Sequence, residues 1–344
     1  MEQQDILSMT LPELQAAVQE LGEPKFRAKQ IFNWLHQKRV TDFSEMTTLS
    51  LPFRERLASD FCINRLKIAK RLASSVDDTV KYLYELPDGN FVETVLMDYH
   101  HGKSLCISTQ VGCRMGCRFC ASAIAGFVRN LTPAEMLLQI YETERAQNCK
   151  ISSLVLMGIG EPLDNFDNVL RFLQLLSDPN GYGMSLRHVT VSTCGVVPKI
   201  LELAEQRLGL TLSVSLHCPN DAGRSAIMPI NRSYPIDVLL DACQTYFEKT
   251  GRRVTFEYAV MDQVNSAEQD AAALAERLKG LHAHVNLIPI NPVKERNFHT
   301  LKKTVLQFQK TLERYGIPAT IRRTLGSDIE AACGQLRRDA IQQT

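Results

Sequence analysis

The stretch Cys113-Arg-Met-Gly-Cys117-Arg-Phe-Cys120 places three cysteines within eight residues. It directly follows a β-like run at residues 105–111, so we predict that it forms the loop after a strand. Clustered thiolates suit zinc, copper(I) or an iron–sulfur cluster. A structural zinc site wants four ligands, whereas a [4Fe–4S] cluster with three cysteines keeps one iron open for a substrate or cofactor. A zinc knuckle, or three unrelated buried thiols, is the alternative interpretation.

Strand-like and helical patterns alternate from residue 105 onward. The strand-like runs are at residues 105–111, 152–157, 188–192, 211–216, 254–260, 284–288 and 319–322. The helical patterns are at residues 133–147, 165–176, 197–206, 236–250 and 266–278. This alternation indicates βαβ units and a parallel sheet. We therefore predict an α/β fold, a partial TIM-type barrel of the (β/α)6 kind.

Polar and glycine-rich groups follow several of these strands. Besides the cysteine loop, they are Gly158–Pro162, Ser192, Ser215–His217 and Asn291. Functional groups of barrel enzymes gather at the carboxyl ends of the strands, so we expect one shared site there.

The N-terminal residues differ in charge from the rest of the chain. Between Lys25 and Arg71 we count eleven basic and four acidic residues, whereas the whole chain has a net charge of +1. We predict a basic helical RNA-binding domain over residues 1–65, a β-hairpin linker over residues 66–104, and the barrel with a C-terminal extension over residues 105–344. An ordinary solvated helical face is the alternative for the basic region.

Cysteine usage and hydropathy predict a cytoplasmic protein. The ten cysteines occur without a secretory leader, which favours reduced thiols. No apolar run approaches the ~18 residues of a membrane span. Outside the motifs we interpret the remaining thiols as structural, namely Cys62, Cys149, Cys194, Cys218 and Cys243.

Longer motifs connect these features to a known family. They are residues 106–113, Met157-Gly-Ile-Gly-Glu-Pro162, residues 191–198, Ser215-Leu-His217, residues 286–292 and Asp328-Ile-Glu-Ala-Ala-Cys-Gly-Gln335. Together with the three cysteines, they resemble the RlmN/Cfr family of radical S-adenosylmethionine (SAM) RNA methyltransferases over nearly the whole chain. Pro162 and the run from Asn286 to Asn297 resemble the RlmN branch.

The resemblance implies the cofactors and their ligands. A [4Fe–4S] cluster would be held by Cys113, Cys117 and Cys120, and two SAM molecules would be used per turnover. The SAM-contacting positions would be Gly160, Glu161, Ser192, Ser215, Leu216, His217 and Asn291.

The resemblance also implies the substrate and the partners. RlmN-type enzymes methylate C2 of an adenosine in large-subunit 23S rRNA, and some act on the adenosine 3′ to the tRNA anticodon. Cfr-type enzymes instead methylate C8 of the rRNA adenosine and confer antibiotic resistance. An electron donor such as flavodoxin or ferredoxin and a monomeric state are further expectations.

Three residues receive catalytic roles from the resemblance alone. Cys333 would carry the methyl group as S-methylcysteine, Cys106 would resolve the enzyme–RNA adduct through a transient disulfide with Cys333, and Glu93 would accept the C2 proton. Without the resemblance, Cys106 would be interpreted as a buried strand thiol. Two other classes stay open: a metal-containing RNA-binding protein without catalysis, and a radical SAM enzyme acting on a small molecule or a protein.

Overall fold

The computed structural model describes residues 3–124, 126–290 and 298–329. Its N-terminal part is helical, as predicted. It contains strand β1 (Gln4–Asp5), helices α1 (Leu11–Glu20), α2 (Phe26–Asn33) and α3 (Leu51–Asp60), and strand β2 (Phe61–Cys62), which pairs with β1 in parallel. Helix α1 starts where it does because Thr10 and Glu13 form a capping box, in which the Glu13 carboxylate accepts the backbone N–H of Thr10 at 2.8 Å.

A ten-stranded sheet forms the centre of the molecule. Its parallel part contains β6 (Gly102–Cys106), β9 (Ser153–Leu156), β10 (Val189–Thr193), β11 (Thr211–Ser215), β12 (Val254–Val260), β13 (Ala283–Pro289) and β14 (Ala319–Ile321). The first six of these strands are the strands of the predicted (β/α)6 partial barrel, and β14 extends the sheet at one edge. The predicted fold class is confirmed.

Residues 66–104 form more than the predicted hairpin. Three antiparallel strands, β3 (Lys67–Ala73), β4 (Val80–Glu85) and β5 (Phe91–Tyr99), continue the barrel sheet because β5 also pairs with β6. Strand β3 is consequently the second edge of the ten-stranded sheet, opposite β14. This segment is part of the central sheet.

The single strand predicted at residues 105–111 is wrong. Strand β6 ends at Cys106, and residues Gln110–Gly112 form a separate strand, β7, that pairs with β8 (Phe127–Asn130) in a two-stranded ribbon. Between them the backbone N–H groups of Thr109 and Gln110 donate to the carbonyl of Ile159, at 2.9 and 3.1 Å. These bonds to the loop after β9 turn the chain away from the sheet and aim the cysteine loop at the carboxyl end of the barrel.

Helices cover the outside of the parallel sheet. They are α4 (Pro133–Gln147), α5 (Phe166–Ser177), α6 (Val197–Glu205), α7 (Asp221–Ile227), α8 (Ile236–Thr250), α9 (Glu268–Leu278) and α10 (Lys302–Arg314). Helices α7 and α10 were not among the predicted ones. None of the described helices is long and apolar enough to cross a membrane.

The N-terminal helices share one hydrophobic core with the barrel. His36, fully buried, lies 3.0 Å from the hydroxyl of Tyr141 on α4, and Arg39 forms an ion pair with the buried carboxylate of Glu144 on the same helix. The N-terminal helical part, residues 4–62, which we call the N-terminal module, is therefore fixed to the barrel through α4. The domain boundaries at residues 65 and 104 stay a prediction.

Candidate functional site

A cavity of about 330 Å³ opens at the carboxyl ends of the parallel strands. Residues from the cysteine loop and from most of the strand ends line it. Those with predicted roles are Cys106, Cys113, Cys117, Cys120, Gly160, Glu161, Ser192, Ser215 and His217. The structure thus brings together nine of the thirteen predicted site residues, as the barrel rule led us to expect.

The cysteine loop is held by backbone hydrogen bonds from two sides. The N–H of Cys113 donates to the carbonyl of Gly126 at 3.2 Å, and the N–H of Arg118 donates to the carbonyl of Ile227 at 2.9 Å. Phe119 packs edge-on against the ring of His217, with ring centroids 4.7 Å apart. The loop is therefore held between the β7–β8 ribbon and the end of α7.

A cluster bound by this loop would change the ionisation of its thiols. Burial, reinforced by the neighbouring Cys120 thiol, raises the pKa of Cys113 to about 12, and burial and the other two thiols raise the pKa of Cys117. A bound cationic cluster would oppose these effects and favour the thiolates. Among the described residues, no three His, Cys, Asp or Glu side chains could hold a single metal ion together. A cluster does not need that arrangement, because each cysteine binds a different iron atom.

Two glycines let the loop after β9 approach closely the residues that lead from β6 into β7. Gly160 has φ +110°, and a Cβ there would lie 2.6 Å from Cβ of Gln110. A Cβ on Gly158 would lie 2.5 Å from the carbonyl oxygen of Ile107. Both positions therefore require glycine, and they leave backbone atoms exposed toward the cavity.

The carboxylate of Glu161 joins this loop to the neighbouring strand end. Its Oε1 accepts the N–H of Leu163 at 3.0 Å and its Oε2 accepts the N–H of Cys194 at 2.7 Å. Burial raises the pKa of Glu161. The side chain fixes the relative position of the loops after β9 and β10 while lining the cavity.

His217 is held in an unusual conformation beyond the end of β11. Its φ is +57°, uncommon for a residue other than glycine, and its ring is buried. The N–H of Ala259 donates to its Nδ1 at 2.9 Å, so a neutral ring carries its proton on Nε2. Burial, reinforced by Arg224, lowers the pKa of His217 to about 3, which keeps the ring neutral.

Four predicted residues lie apart from the cavity or outside the described ranges. Leu216 is fully buried in the core and does not line the cavity. Glu93 is also buried and forms an ion pair with Lys81. It lies two residues from the cavity-lining Val95, on the same face of β5. Asn291 and Cys333 lie outside the described residues.

Cys106 ends strand β6 inside a small apolar cluster. The cluster contains Val95 and Met97 of β5, and Leu325 from the segment after β14 packs against it. Cys106 is 4% exposed and lines the cavity. Cys106 therefore has an apolar environment that opens toward the same space as the cysteine loop.

Arg224 is a residue of the site that no sequence motif indicated. Its fully buried guanidinium donates to the carbonyls of Cys194 at 2.7 Å, Ser215 at 3.0 Å and Leu216 at 3.2 Å. It also donates to Oδ1 of Asn231 at 2.9 Å. One side chain thus ties together the ends of β10 and β11, where the predicted SAM contacts lie. An arginine in a short polar helix gives no sequence signal for such burial.

Glu257, in the middle of β12, is a second such residue. It lines the cavity and accepts hydrogen bonds from the Ser213 hydroxyl at 2.7 Å and from Nδ2 of Asn286 at 2.9 Å. Burial raises its pKa. In the sequence, the only indication of such a role is that Glu257 is a single carboxylate within a mostly apolar strand.

Comparison with known proteins agrees with this arrangement. Residues 4–63 match the ribosomal RNA large subunit methyltransferase N-terminal domain, and residues 107–275 match the radical SAM superfamily. The chain is 51% identical over 344 residues to a Lachnoclostridium phytofermentans protein named "Probable dual-specificity RNA methyltransferase RlmN", covering 99% of this chain and 96% of that one. An Alkaliphilus oremlandii protein of the same name is 50% identical over 343 residues, covering 99% and 100%.

A solved structure has the same fold over nearly the whole chain. The crystal structure of a radical SAM methyltransferase from Sphaerobacter thermophilus superposes with a TM-score of 0.92 at 40% identity. The match covers 96% of this chain and 98% of that one.

Proposed function

This chain belongs to the RlmN family of radical SAM methyltransferases, and on that premise we propose that it methylates C2 of an adenosine in 23S rRNA and of the adenosine 3′ to the anticodon in some tRNAs. The observation that carries the proposal is that Cys106 and the three cysteines of the loop line one cavity. The relatives' name, a dual-specificity RNA methyltransferase, supports two RNA substrates.

The cavity walls supply the cofactor contacts in this proposal. Cys113, Cys117 and Cys120 hold a [4Fe–4S] cluster, and the strand ends gathered by Arg224 hold SAM, of which two molecules are used per turnover. When bound, the two cofactors supply a methyl group and a carbon-centred radical. Such chemistry is needed because C2 of adenine is not nucleophilic enough to attack a methyl donor.

Two cysteines carry the transferred carbon and release the product. Cys333 carries the methyl carbon, which would give up one hydrogen atom to the carbon-centred radical and then bond to C2. Once this adduct has returned one electron to the cluster and lost the C2 proton, the carbon links the enzyme to the RNA covalently. The Cys106 thiolate then attacks Sγ of Cys333. The bond between Sγ and the transferred carbon breaks, its electron pair stays with the carbon, and that carbon takes up a proton. A Cys106–Cys333 disulfide remains on the enzyme.

Glu93 is the proposed acceptor of the C2 proton. Its support is its position on the face of β5 that lines the cavity at Val95. Lys81 lies beside it and forms part of its surroundings in any such role.

The N-terminal module is the proposed grip on the RNA. Lys25, the N-cap residue of α2, and Lys29, in the first turn of that helix, are both exposed, and so is Phe26, the first residue of α2. Cations next to an exposed aromatic ring suit phosphates and unstacked bases. The target adenosine would have to leave its stack to enter the cavity. A flavodoxin- or ferredoxin-type electron donor and a monomeric state belong to the same proposal.

Nucleoside mass spectrometry of rRNA and tRNA from cells with and without the gene tests the proposal. Gene-dependent 2-methyladenosine in both RNA classes is the expected result. Gene-dependent 8-methyladenosine would instead assign the Cfr-type reaction. If neither nucleoside depends on the gene and the purified protein is colourless, the chain is a metal-containing RNA-binding protein.

A further inference from the structure

The segment after β14 joins the two edges of the central sheet. Strand β14 is one edge and β3 is the other. Beyond β14, residues Arg322 to Leu325 line the cavity, and Leu325 packs against the apolar cluster that contains Cys106. The chain then reaches the turn between β3 and β4. It thus runs from one edge of the sheet to the turn beside the other edge and contacts the cluster that contains Cys106 on the way.

Four hydrogen bonds fix the far end of this segment to residues 74–77, which we call the docking turn. The Ser74 hydroxyl donates to Oδ1 of Asp328 at 2.7 Å. The backbone N–H and the hydroxyl of Ser75 donate to Oδ2 of Asp328 at 2.7 and 2.9 Å. In the opposite direction, the N–H of Gly326 donates to Oδ2 of Asp77 at 2.9 Å. These bonds join residues about 250 positions apart in the sequence.

The docking turn is shaped independently of this contact. The N–H groups of Val76 and Asp77 both donate to the Ser74 hydroxyl at 3.1 Å, and the N–H of Thr79 donates to Oδ1 of Asp77 at 2.9 Å. Such local side-chain bonds hold a turn in one conformation. The hydrogen bonds from Ser74 and Ser75 lower the pKa of Asp328 to about 2, so the carboxylate stays charged at neutral pH.

The anchor limits where the following residues can go. Cys333 lies five residues after Asp328 and twelve residues after Ile321, the end of β14. An extended chain spans about 3.4 Å per residue, so the five residues that follow Asp328 can span at most about 17 Å between Cα atoms. Because loop closure becomes less probable with about the 3/2 power of chain length, losing the anchor would reduce encounters of Cys333 with Cys106.

We propose that the docking turn is the seat of the C-terminal segment and that Asp328 is a positioning residue that holds Cys333 near Cys106. This inference rests on the roles given to the two cysteines in the proposed function. It adds Ser74, Ser75, Asp77 and Asp328 to the residues on which product release depends.

A thiol–disulfide equilibrium tests the proposal without methyl transfer. The anaerobic holoenzyme is equilibrated with reduced and oxidised glutathione, and the Cys106–Cys333 disulfide is quantified by peptide mapping. The effective molarity of the two thiols should fall about fourfold in Asp328→Ala if the segment is released back to β14. It should fall about twofold if Leu325 still holds the segment in place. Ser75→Ala should have a smaller effect and should add nothing in the Asp328→Ala background, because both changes remove the same contact.

The controls separate this inference from the proposed function. Asp42→Ala removes another exposed carboxylate that accepts a backbone N–H, that of Ser44, and it should leave the equilibrium unchanged. Cluster absorbance should be equal in all variants. An unchanged effective molarity in Asp328→Ala would overturn the anchoring role alone. If the unaltered enzyme forms no Cys106–Cys333 disulfide, the proposed exchange fails and this inference with it.

Discussion

The ammonium group of Lys81 lies 2.9 Å from Oε2 of Glu93, and the two side chains are 0% and 1% exposed. Both project from neighbouring antiparallel strands, β4 and β5, on the face that reaches the cavity at Thr79 and Val95. The stability of a buried ion pair depends on its geometry, because removing either partner leaves the other charge buried without solvation by water. The pair is therefore expected to matter for folding and to constrain where the Glu93 carboxylate points.

A double-mutant cycle separates these two roles. Lys81→Met should lower the free energy of unfolding by about 3 to 5 kcal/mol, because it leaves the Glu93 carboxylate buried without this partner. Lys81→Met combined with Glu93→Leu should recover most of that loss. If Glu93 accepts the C2 proton, the double variant should be folded yet unable to methylate RNA. Additive effects on urea unfolding would show that the pair is not coupled, and methylation by the double variant would remove Glu93 from the mechanism.

His36 predicts acid sensitivity of the junction between the N-terminal module and the barrel. Burial lowers its pKa from 6.5 to about 3, so the unfolded chain binds a proton that the folded chain does not. The contribution of the neutral, buried His36 to the free energy of unfolding is then fully present above about pH 6.5. It is lost progressively as the pH falls below that value. Between pH 7 and pH 5 the loss from this residue should be about 2 kcal/mol.

Urea unfolding of the anaerobic protein at pH 7 and pH 5 measures this loss. His36→Gln keeps a hydrogen-bonding side chain opposite Tyr141 but cannot titrate, so its stability should change less between the two pH values. His217 has a similarly lowered pKa and should account for a comparable loss that the variant retains. Equal pH dependence of the variant and the unaltered protein would contradict the prediction.

The exposed lysines at the start of α2, Lys25 and Lys29, predict a salt-dependent contact with RNA. Lys25→Glu combined with Lys29→Glu should weaken RNA binding and reduce the slope of log affinity against log salt by roughly two. Arg27 is left unchanged because its guanidinium donates to Gln30 and to the carbonyl of Thr48 within the module. Lys303→Glu with Lys310→Glu, two exposed lysines of α10, is the matched control. If both double variants bind alike, the grip on RNA lies elsewhere.

Local sequence signals were enough to predict several elements residue for residue. The helix over residues 133–147 begins at a capping box of Thr132 and Glu135. The helix over residues 236–250 ends at Gly251 in the left-handed conformation. Both signals act within one helical turn, so the sequence alone displays them.

The failures concern contacts between distant parts of the chain. The run at residues 105–111 has strand composition throughout, yet the Ser108 hydroxyl donates to the carbonyl of Glu93 at 2.7 Å and the chain leaves the sheet there. Arg224 follows a turn-like Asn-Asp-Ala-Gly sequence, and only the meeting of two strand ends makes it a buried donor. The cysteine motif was recognisable because its three ligands lie within eight residues of sequence. Arg224 and Asp328, in contrast, acquire their contacts only in the folded chain.

Cys106 gives the sharpest prediction about mechanism. If it only resolves the adduct, Cys106→Ala should still attach the methyl carbon of Cys333 to RNA and then stall. The protein should run on a denaturing gel as a crosslinked band that ribonuclease removes. Truncating this buried thiol costs about 1 kcal/mol, so the fold and the cluster loop should survive. Expression in a host that contains the substrate RNA, followed by denaturation, reveals the band.

Two outcomes distinguish this role from a structural one. Cys333→Ala should give no band, because it lacks the sulfur that bears the transferred carbon. A Cys106→Ala protein that is unstable and uncrosslinked would indicate that the thiol merely fills the cluster of Val95, Met97 and Leu325. Stable, uncrosslinked Cys106→Ala protein that still yields methylated adenosine would show that another group releases the product. Because Asp328 is proposed to hold Cys333 near Cys106, Asp328→Ala should show a weaker form of the same stall, with adduct that accumulates and then decays.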